Sequence, residues 1–278
     1  MGPPANADKP GRAKVLWQGP SRGVVVALVG PDGVGKTSQT AAITNALQKK
    51  FDCTAVYLGS GDGGWALRRR GKELLRKFSR RPRKEKSSPN APARDRVNDR
   101  LRTALSGVAI AVERYWTLLR AMRMAASGEI VISDRWPQNM QPGMLDGPMR
   151  LDPRASGLVR LLSRFERFLY RRMAAHRPDL AVHMICDFET SNARKPGDRS
   201  RAEFEQRLAL MDEMRRLDPA IMVVDAQNGF DEVTRELLRC VHVAKAHQQH
   251  FSAARANQFV VLFIILVTCL GIIEHGHA

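Results

Sequence analysis

This sequence contains few cysteines and few aromatic residues, and its N-terminus is not apolar. Four cysteines occur in 278 residues, and they are scattered without a C-x-x-C spacing. This distribution argues against a zinc site or a disulfide framework, so we expect buried thiols in a cytoplasmic protein. Residues 1–23 are rich in glycine, proline and charge and lack the apolar core of a signal peptide, so we expect a disordered tail over 1–21.

Acidic residues are also scarce, since 28 Asp and Glu stand against 45 Lys and Arg and give a net charge of +17. Much of the excess lies in residues 68–102, which carry 15 basic and four acidic side chains. We interpret 60–102 as a basic insertion, because residues 87–92 have a composition typical of disorder. Few aromatic side chains are present there to stack on bases, so we expect no specific nucleic-acid partner. A solvated loop and contact with an anionic membrane surface both stay open.

The C-terminal part of the chain contains the longest apolar run. Residues 259–273 are apolar on every side, which a surface helix of a soluble protein does not tolerate. The run is 15 residues long, short of the roughly 18–20 that cross a bilayer. Lys245 and Arg255 precede it, on the side expected to stay cytoplasmic. We favour a membrane anchor within an apolar tail over 249–278; a buried element or an oligomer contact, such as a homodimer, stays open.

Between the two tails, short apolar runs alternate with longer helical patterns. The predicted strands are 24–29, 53–58, 129–133, 180–185 and 221–225, and the predicted helices are 36–50, 101–127, 155–175, 200–217 and 230–248. Strands separated by helices favour a parallel sheet that is covered on both faces. We therefore predict one α/β domain over 22–248, with a five-stranded parallel sheet in three α/β/α layers and its ligands at the carboxyl ends of the strands.

The strongest motif lies between the first predicted strand and the first predicted helix. It fills G-x-x-x-x-G-K-[ST] with Gly30-Pro31-Asp32-Gly33-Val34-Gly35-Lys36-Thr37. A buried strand, a glycine turn and a helix start bring several backbone N–H groups around one point, where they can hold a polyphosphate. Lys36 is expected to reach the β- and γ-phosphates, and the Thr37 hydroxyl to ligate Mg²⁺. The motif predicts a P-loop NTPase fold that binds a nucleoside triphosphate.

A second signal follows the third predicted strand, where Asp134 and Arg135 end the run Glu129-Ile130-Val131-Ile132-Ser133. A carboxylate at this place downstream of a P-loop can orient hydrated Mg²⁺. An arginine beside it can bind an acceptor phosphate with two parallel hydrogen bonds. A solvated ion pair at a strand end would look the same, so the interpretation depends on the P-loop.

These residues resemble the thymidylate kinase family of P-loop nucleoside-monophosphate kinases over about residues 22–245. The resemblance rests on the P-loop with Ser38 and Gln39, and on segments 132–136, 177–180, 193–198 and 223–226. It implies Mg-ATP-dependent phosphoryl transfer to a nucleoside 5′-monophosphate, with dTMP as the typical acceptor. The residues expected to hold ATP are Gly30, Pro31, Asp32, Gly33, Val34, Gly35, Lys36, Thr37 and Ser38.

The resemblance also implies roles for side chains outside the loop. Thr37 and Asp134 would serve Mg²⁺, and Asp32, Arg114 and Arg135 would contact the acceptor. Because the P-loop carries no arginine, Lys36 would be assisted catalytically by Asp134 and by the arginines Arg194 and Arg199 that follow the fourth strand. Residues 137–148 differ from the family, with no matching thymine-reading Gln or stacking Phe. Two alternatives therefore stay open: a kinase of a non-nucleotide small acceptor, and a membrane-associated nucleotide-binding accessory protein with weak catalysis.

Overall fold

The computed structural model describes residues 22–59, 93–150, 155 and 157–248. The predicted tails at 1–21 and 249–278 and residues 60–92 of the predicted insertion lie outside the described residues. The membrane anchor predicted at 259–273 lies outside them as well. Within the described ranges, no helix combines the length and the apolar character that crossing a bilayer requires.

The centre of the fold is the predicted five-stranded parallel sheet. Its strands are β1 (Val25–Val29), β2 (Cys53–Tyr57), β3 (Ile130–Asp134), β4 (Leu180–Ile185) and β5 (Met222–Asp225). Their order is β2-β3-β1-β4-β5, and every neighbouring pair is parallel. Because β1 lies between β3 and β4, the carboxyl ends of these three strands adjoin the turn that follows β1. This topology explains why the two sequence motifs meet.

Six helices connect and cover the strands in the described part of the chain. They are α1 (Lys36–Gln48), α2 (Ala93–Ala126), α3 (Gly157–Ala174), α4 (Phe188–Arg194), α5 (Arg201–Leu217) and α6 (230–248). The sequence predicted five of them and missed α4, a seven-residue helix capped by the Asp187 side chain, which accepts from Thr190 N at 2.7 Å. It also placed the start of α2 too late, because residues 93–100 read as a charged insertion.

The two faces of the sheet are covered by different helices, as the prediction of three layers requires. Val26 and Leu28 of β1 pack with Ile43 of α1 and Leu237 of α6 on one face. Val25 points to the other face, where it packs against Ala121 of α2. This alternation follows from the two-residue period of a strand. Helix α3 packs outside α2 through Leu169, Tyr170 and Met173.

Candidate functional site

The turn after β1 is shaped by glycines that no other residue would replace without strain. Gly33 and Gly35 have φ values of 83° and 96°, in the left-handed region that L side chains avoid. At Gly30, a Cβ would lie 2.5 Å from the backbone oxygen of Met184. Within the described structure, no side chain caps the start of α1, and its first turn holds no acidic residue. The amides at this helix start are therefore available to an anion.

Lys36 is folded back into the loop that it follows. Its side chain is buried, and Nζ donates to the backbone oxygens of Gly30 at 2.9 Å and Pro31 at 2.6 Å. Burial, together with the positive charge of Arg135, lowers the pKa of Lys36 to about 8. The ammonium group thus lies against the inner wall of the loop, where a bound polyphosphate could exchange for the two carbonyls. Val34 packs its side chain in the core, so it contributes only backbone to the loop.

Thr37 and Asp134, the two residues predicted to serve Mg²⁺, are in direct contact. The Thr37 hydroxyl donates to Asp134 Oδ2 at 2.6 Å, across 97 positions of sequence. The Asp134 carboxylate is buried, and its other oxygen, Oδ1, has no hydrogen-bond partner among the described residues. A hydroxyl, a carboxylate and an unused carboxylate oxygen suit hydrated Mg²⁺, which prefers oxygen ligands and keeps several waters. The donor set fits the ion on this observation.

Arg135 follows β3 in a left-handed conformation, with φ 78°. Its backbone N–H donates to Leu28 O at 3.0 Å, which ties this residue to β1. Its guanidinium donates to Asp32 Oδ1 at 2.8 Å and to Asp146 Oδ2 at 3.1 Å. Although burial opposes the charged form, the two carboxylates raise the pKa of Arg135 above its ordinary value. A left-handed arginine is uncommon and costs free energy, and such residues concentrate at functional sites.

Arg114 of α2 reaches the same place through Asp146. Its Nη2 donates to Asp146 Oδ1 at 2.9 Å, and its Nη1 donates to the backbone oxygen of Asp146 at 2.8 Å and to the Tyr170 hydroxyl. Arg114 is only 3% exposed, which separates it from an ordinary helix-surface arginine. The structure therefore brings Arg114 and Arg135, the two predicted acceptor arginines, onto one carboxylate.

The sequence prediction did not single out Asp146. It follows Leu145 in a turn where both residues have positive φ, 39° and 62°. The Asp-Gly pair at 146–147 indicates a turn, but nothing local shows that the aspartate side chain points back toward α2 and β3. Only the tertiary structure reveals this contact.

Asp32 is the second carboxylate of the cluster. It accepts from Arg199 Nη2 at 3.1 Å as well as from Arg135, and Nη1 of Arg207 lies 4.0 Å from it. Burial favours the protonated acid, but the Arg135 hydrogen bond and the surrounding positive charges hold the pKa of Asp32 well below its usual range. Arg207 of α5 was also missed, because one arginine in a helix that is rich in them carries no distinguishing pattern.

The cluster has an excess of positive charge. Its four arginines, Arg114, Arg135, Arg199 and Arg207, outnumber the three carboxylates that pair with them, Asp32, Asp146 and Asp198. Among the described residues, the buried Nε groups of Arg114, Arg135 and Arg207 have no hydrogen-bond partner. Burial and the charge of Arg199 lower the pKa of Arg207. An incoming anion would offset this excess of positive charge.

A cavity of about 570 Å³ lies along the P-loop and borders the cluster at Asp32 and Arg135. Its wall contains residues 32–39 together with Arg135, Arg194, Lys195, Ala226, Asn228, Phe230 and Val233. Arg194 donates to Ala226 O at 2.9 Å and to Val34 O at 3.3 Å. The two arginines predicted for the region after β4 therefore have different partners, since Arg194 lines this cavity while Arg199 donates to Asp32.

Comparison with known proteins places the chain in a family. It is 31% identical over 225 residues to the uncharacterized ATP-binding protein YghR of Escherichia coli (strain K12). These residues cover 78% of this chain and 86% of YghR. The chain belongs to the YghR family. YghS, another uncharacterized ATP-binding protein of the same organism, is 28% identical over 227 residues, which cover 79% of this chain and 93% of YghS. No family model matches the sequence.

Two solved structures share low sequence identity with this YghR-family chain. The thymidylate kinase from Ehrlichia chaffeensis is 15% identical to this chain, with a TM-score of 0.42. The matched part covers 79% of this chain and 98% of the thymidylate kinase. APE1195 is 17% identical to this chain, with a TM-score of 0.34. The matched part covers 81% of this chain and 98% of APE1195.

Proposed function

We propose that this protein transfers the γ-phosphoryl group of ATP to a phosphorylated small acceptor, a nucleoside 5′-monophosphate and most specifically dTMP. The observation that carries the proposal is the arginine-rich cluster that Asp32 and Arg135 join directly to the P-loop. Arginines that outnumber the carboxylates around them, with buried Nε groups left unpaired, suit a second anion beside the donor phosphates. A monophosphate acceptor supplies such an anion.

The donor half of the site needs only the loop and its helix. The amides of residues 33–37 surround the β- and γ-phosphates, and Lys36 leaves the carbonyls of Gly30 and Pro31 to bind them. Two relatives named as ATP-binding proteins support ATP as the donor. Thr37 and Asp134 would hold Mg²⁺, which would neutralise the negative charge that develops during phosphoryl transfer.

The acceptor half orients the attacking oxygen. Arg135 and Arg114 fix the acceptor phosphate, with Arg207 on its far side, and the aspartates hold these guanidiniums in place. An acceptor oxygen attacks the γ-phosphorus in line, the bond from that phosphorus to the β,γ-bridging oxygen breaks, and ADP leaves. Such a transfer needs positioning and positive charge rather than a covalent catalyst. Arg194, on the cavity side, would contribute charge to the donor phosphates.

The choice of dTMP rests on the sequence resemblance to thymidylate kinases, and the choice of a phosphate acceptor rests on the cluster. A coupled assay of ADP release with Mg-ATP and each nucleoside monophosphate tests both. We expect turnover that depends on the acceptor and is fastest with dTMP.

Turnover only with a phosphorylated compound outside the nucleotide panel would keep the cluster's role and overturn the choice of dTMP. Tight ATP binding without turnover on any acceptor would overturn the kinase and leave an accessory nucleotide-binding role.

A further inference from the structure

Helix α3 presents two rows of side chains to solvent. One row is apolar and consists of Leu158, Leu161, Phe165 and Phe168, spaced three or four residues apart along one face. Their exposed fractions are 55%, 62%, 46% and 47%. The rings of Phe165 and Phe168 stack at 6.4 Å between centroids, with an interplanar angle of 22°. Four large apolar side chains in one row differ from the isolated exposed ones that any surface carries, and such patches mark interaction sites.

The second row is basic and lies beside the first. It consists of Arg160, Arg164, Arg167 and Arg171, again spaced three or four residues apart, and all four are exposed. Within the described part of the chain, none of them forms an ion pair with a carboxylate. The helix has one acidic residue, Glu166, which is buried on the opposite face and accepts from Met149 N at 2.9 Å. The exposed face is therefore apolar and purely cationic.

We propose that this face of α3 is a docking surface for an anionic lipid bilayer, with the apolar row inserted at the interface and the arginine row on the lipid phosphates. An apolar row beside a row of long basic side chains is the pattern of helices that lie in the plane of a membrane surface. The charge of the face argues against self-association, because two copies would bring eight arginines together with no exposed carboxylate on either helix. The proposal concerns α3 alone and does not depend on the proposed kinase activity.

The experiment uses the full chain and vesicles of phosphatidylcholine, with and without phosphatidylserine. We expect co-sedimentation with the anionic vesicles that weakens as salt is raised, because the arginine contacts are electrostatic. The double variant Arg164→Gln/Arg167→Gln should weaken this binding by about fivefold for each arginine removed. The double variant Phe165→Ser/Phe168→Ser should weaken it at all salt concentrations.

Two control variants, one for each kind of change, alter exposed arginine and apolar side chains at the end of another helix. Arg215→Gln/Arg216→Gln removes two exposed charges from α5, and Leu217→Ser removes an apolar side chain that is 72% exposed. Both should bind vesicles as the unaltered chain does. Because all the altered side chains are exposed, the circular dichroism of every variant should be unchanged.

Equal vesicle binding by the α3 variants and the unaltered chain would overturn the proposal, whichever other part of the chain then bound the lipid. A concentration-dependent dimer that only Phe165→Ser/Phe168→Ser disrupts would also overturn it, and would assign the face to a second copy. These measurements use vesicle binding and not kinase activity, so they can contradict the membrane-docking proposal without bearing on the proposed kinase function.

Discussion

The donor and acceptor halves of the proposed site differ in composition: one is mostly backbone and the other is mostly side chains. In the proposed donor half, a continuous segment from Gly30 to Ser38 provides mostly backbone groups, and Lys36 is its one charged side chain that faces the loop carbonyls. On the acceptor side, charged side chains arrive from the P-loop, α2, the end of β3, the turn at 145–147 and α5. The donor half therefore depends on local backbone geometry, while the acceptor half depends on a balance of charges that no single segment contains.

This difference predicts how each half responds to substitution. Loss of the donor lysine removes charge from the reacting phosphates themselves. Loss of a cluster member disturbs its partners first, because Asp32 and Asp146 each serve at least two arginines. The donor half should therefore show effects on catalysis, and the acceptor half should show combined effects on stability and acceptor affinity.

The largest expected effect comes from Lys36→Ala. Removing one preorganised donor that stabilises charge developing in a transition state costs about 10²–10³ in rate, so we expect acceptor-dependent ADP release to fall at least that far. Lys49→Ala, at the exposed end of the same helix, is the matched control and should keep full activity. Transfer that survives in Lys36→Ala at more than a tenth of the original rate would contradict the assignment of the donor half.

The contrast between the halves also explains what the sequence could and could not predict. The five strands, the layers and the P-loop follow from local patterns, because strand ends and a glycine turn are encoded by neighbouring residues. Thr37 and Asp134 were each named for the metal, but their direct contact joins residues 97 positions apart and was not predicted. Asp146 and Arg207 were missed, because their roles come from long-range contacts and their residue types are common on surfaces. Arg114 was named through resemblance alone, and nothing in its helix showed that this arginine, unlike most, is buried.

Asp146→Asn tests the charge balance of the acceptor half. The substitution keeps the shape of the side chain but leaves Arg114 and Arg135 without their shared anion. Removing one partner from a buried ion pair costs about 3 kcal/mol or more, so urea unfolding should show a loss of that size. Asp212→Asn, which breaks the exposed pair with Arg215, should cost less than about 1 kcal/mol.

Inorganic phosphate sharpens this test. If the cluster is an anion site, millimolar phosphate should restore part of the stability that Asp146→Asn loses, and should have a smaller effect on Asp212→Asn. Equal responses of the two variants to phosphate would show that the cluster is a structural network and not a binding site.

Arg207→Gln separates the two halves kinetically. Arg207 lies at the acceptor cluster and is not among the residues that line the cavity along the P-loop. A lost charge-assisted hydrogen bond is worth roughly 1.5 kcal/mol, so the acceptor KM should rise about tenfold while the Kd for ATP stays unchanged. The control Arg216→Gln is an exposed change on the same helix. A rise in the Kd for ATP with an unaltered acceptor KM would place Arg207 on the donor side.

The smallest effect concerns the protonation of Lys36. Burial lowers its pKa to about 8 in the free protein, and a bound polyphosphate must raise that pKa because it stabilises the ammonium form. Below about pH 8 the lysine is already charged, so binding takes up no proton there. Above it the free lysine loses its proton, so binding should take up a proton and affinity should fall by up to about tenfold per pH unit.

Calorimetry in buffers of different ionisation enthalpy measures this uptake directly. Lys36→Ala should bind more weakly and show no proton uptake above pH 8. The same uptake in that variant would mean that another group titrates, and that the ammonium of Lys36 does not meet the phosphates.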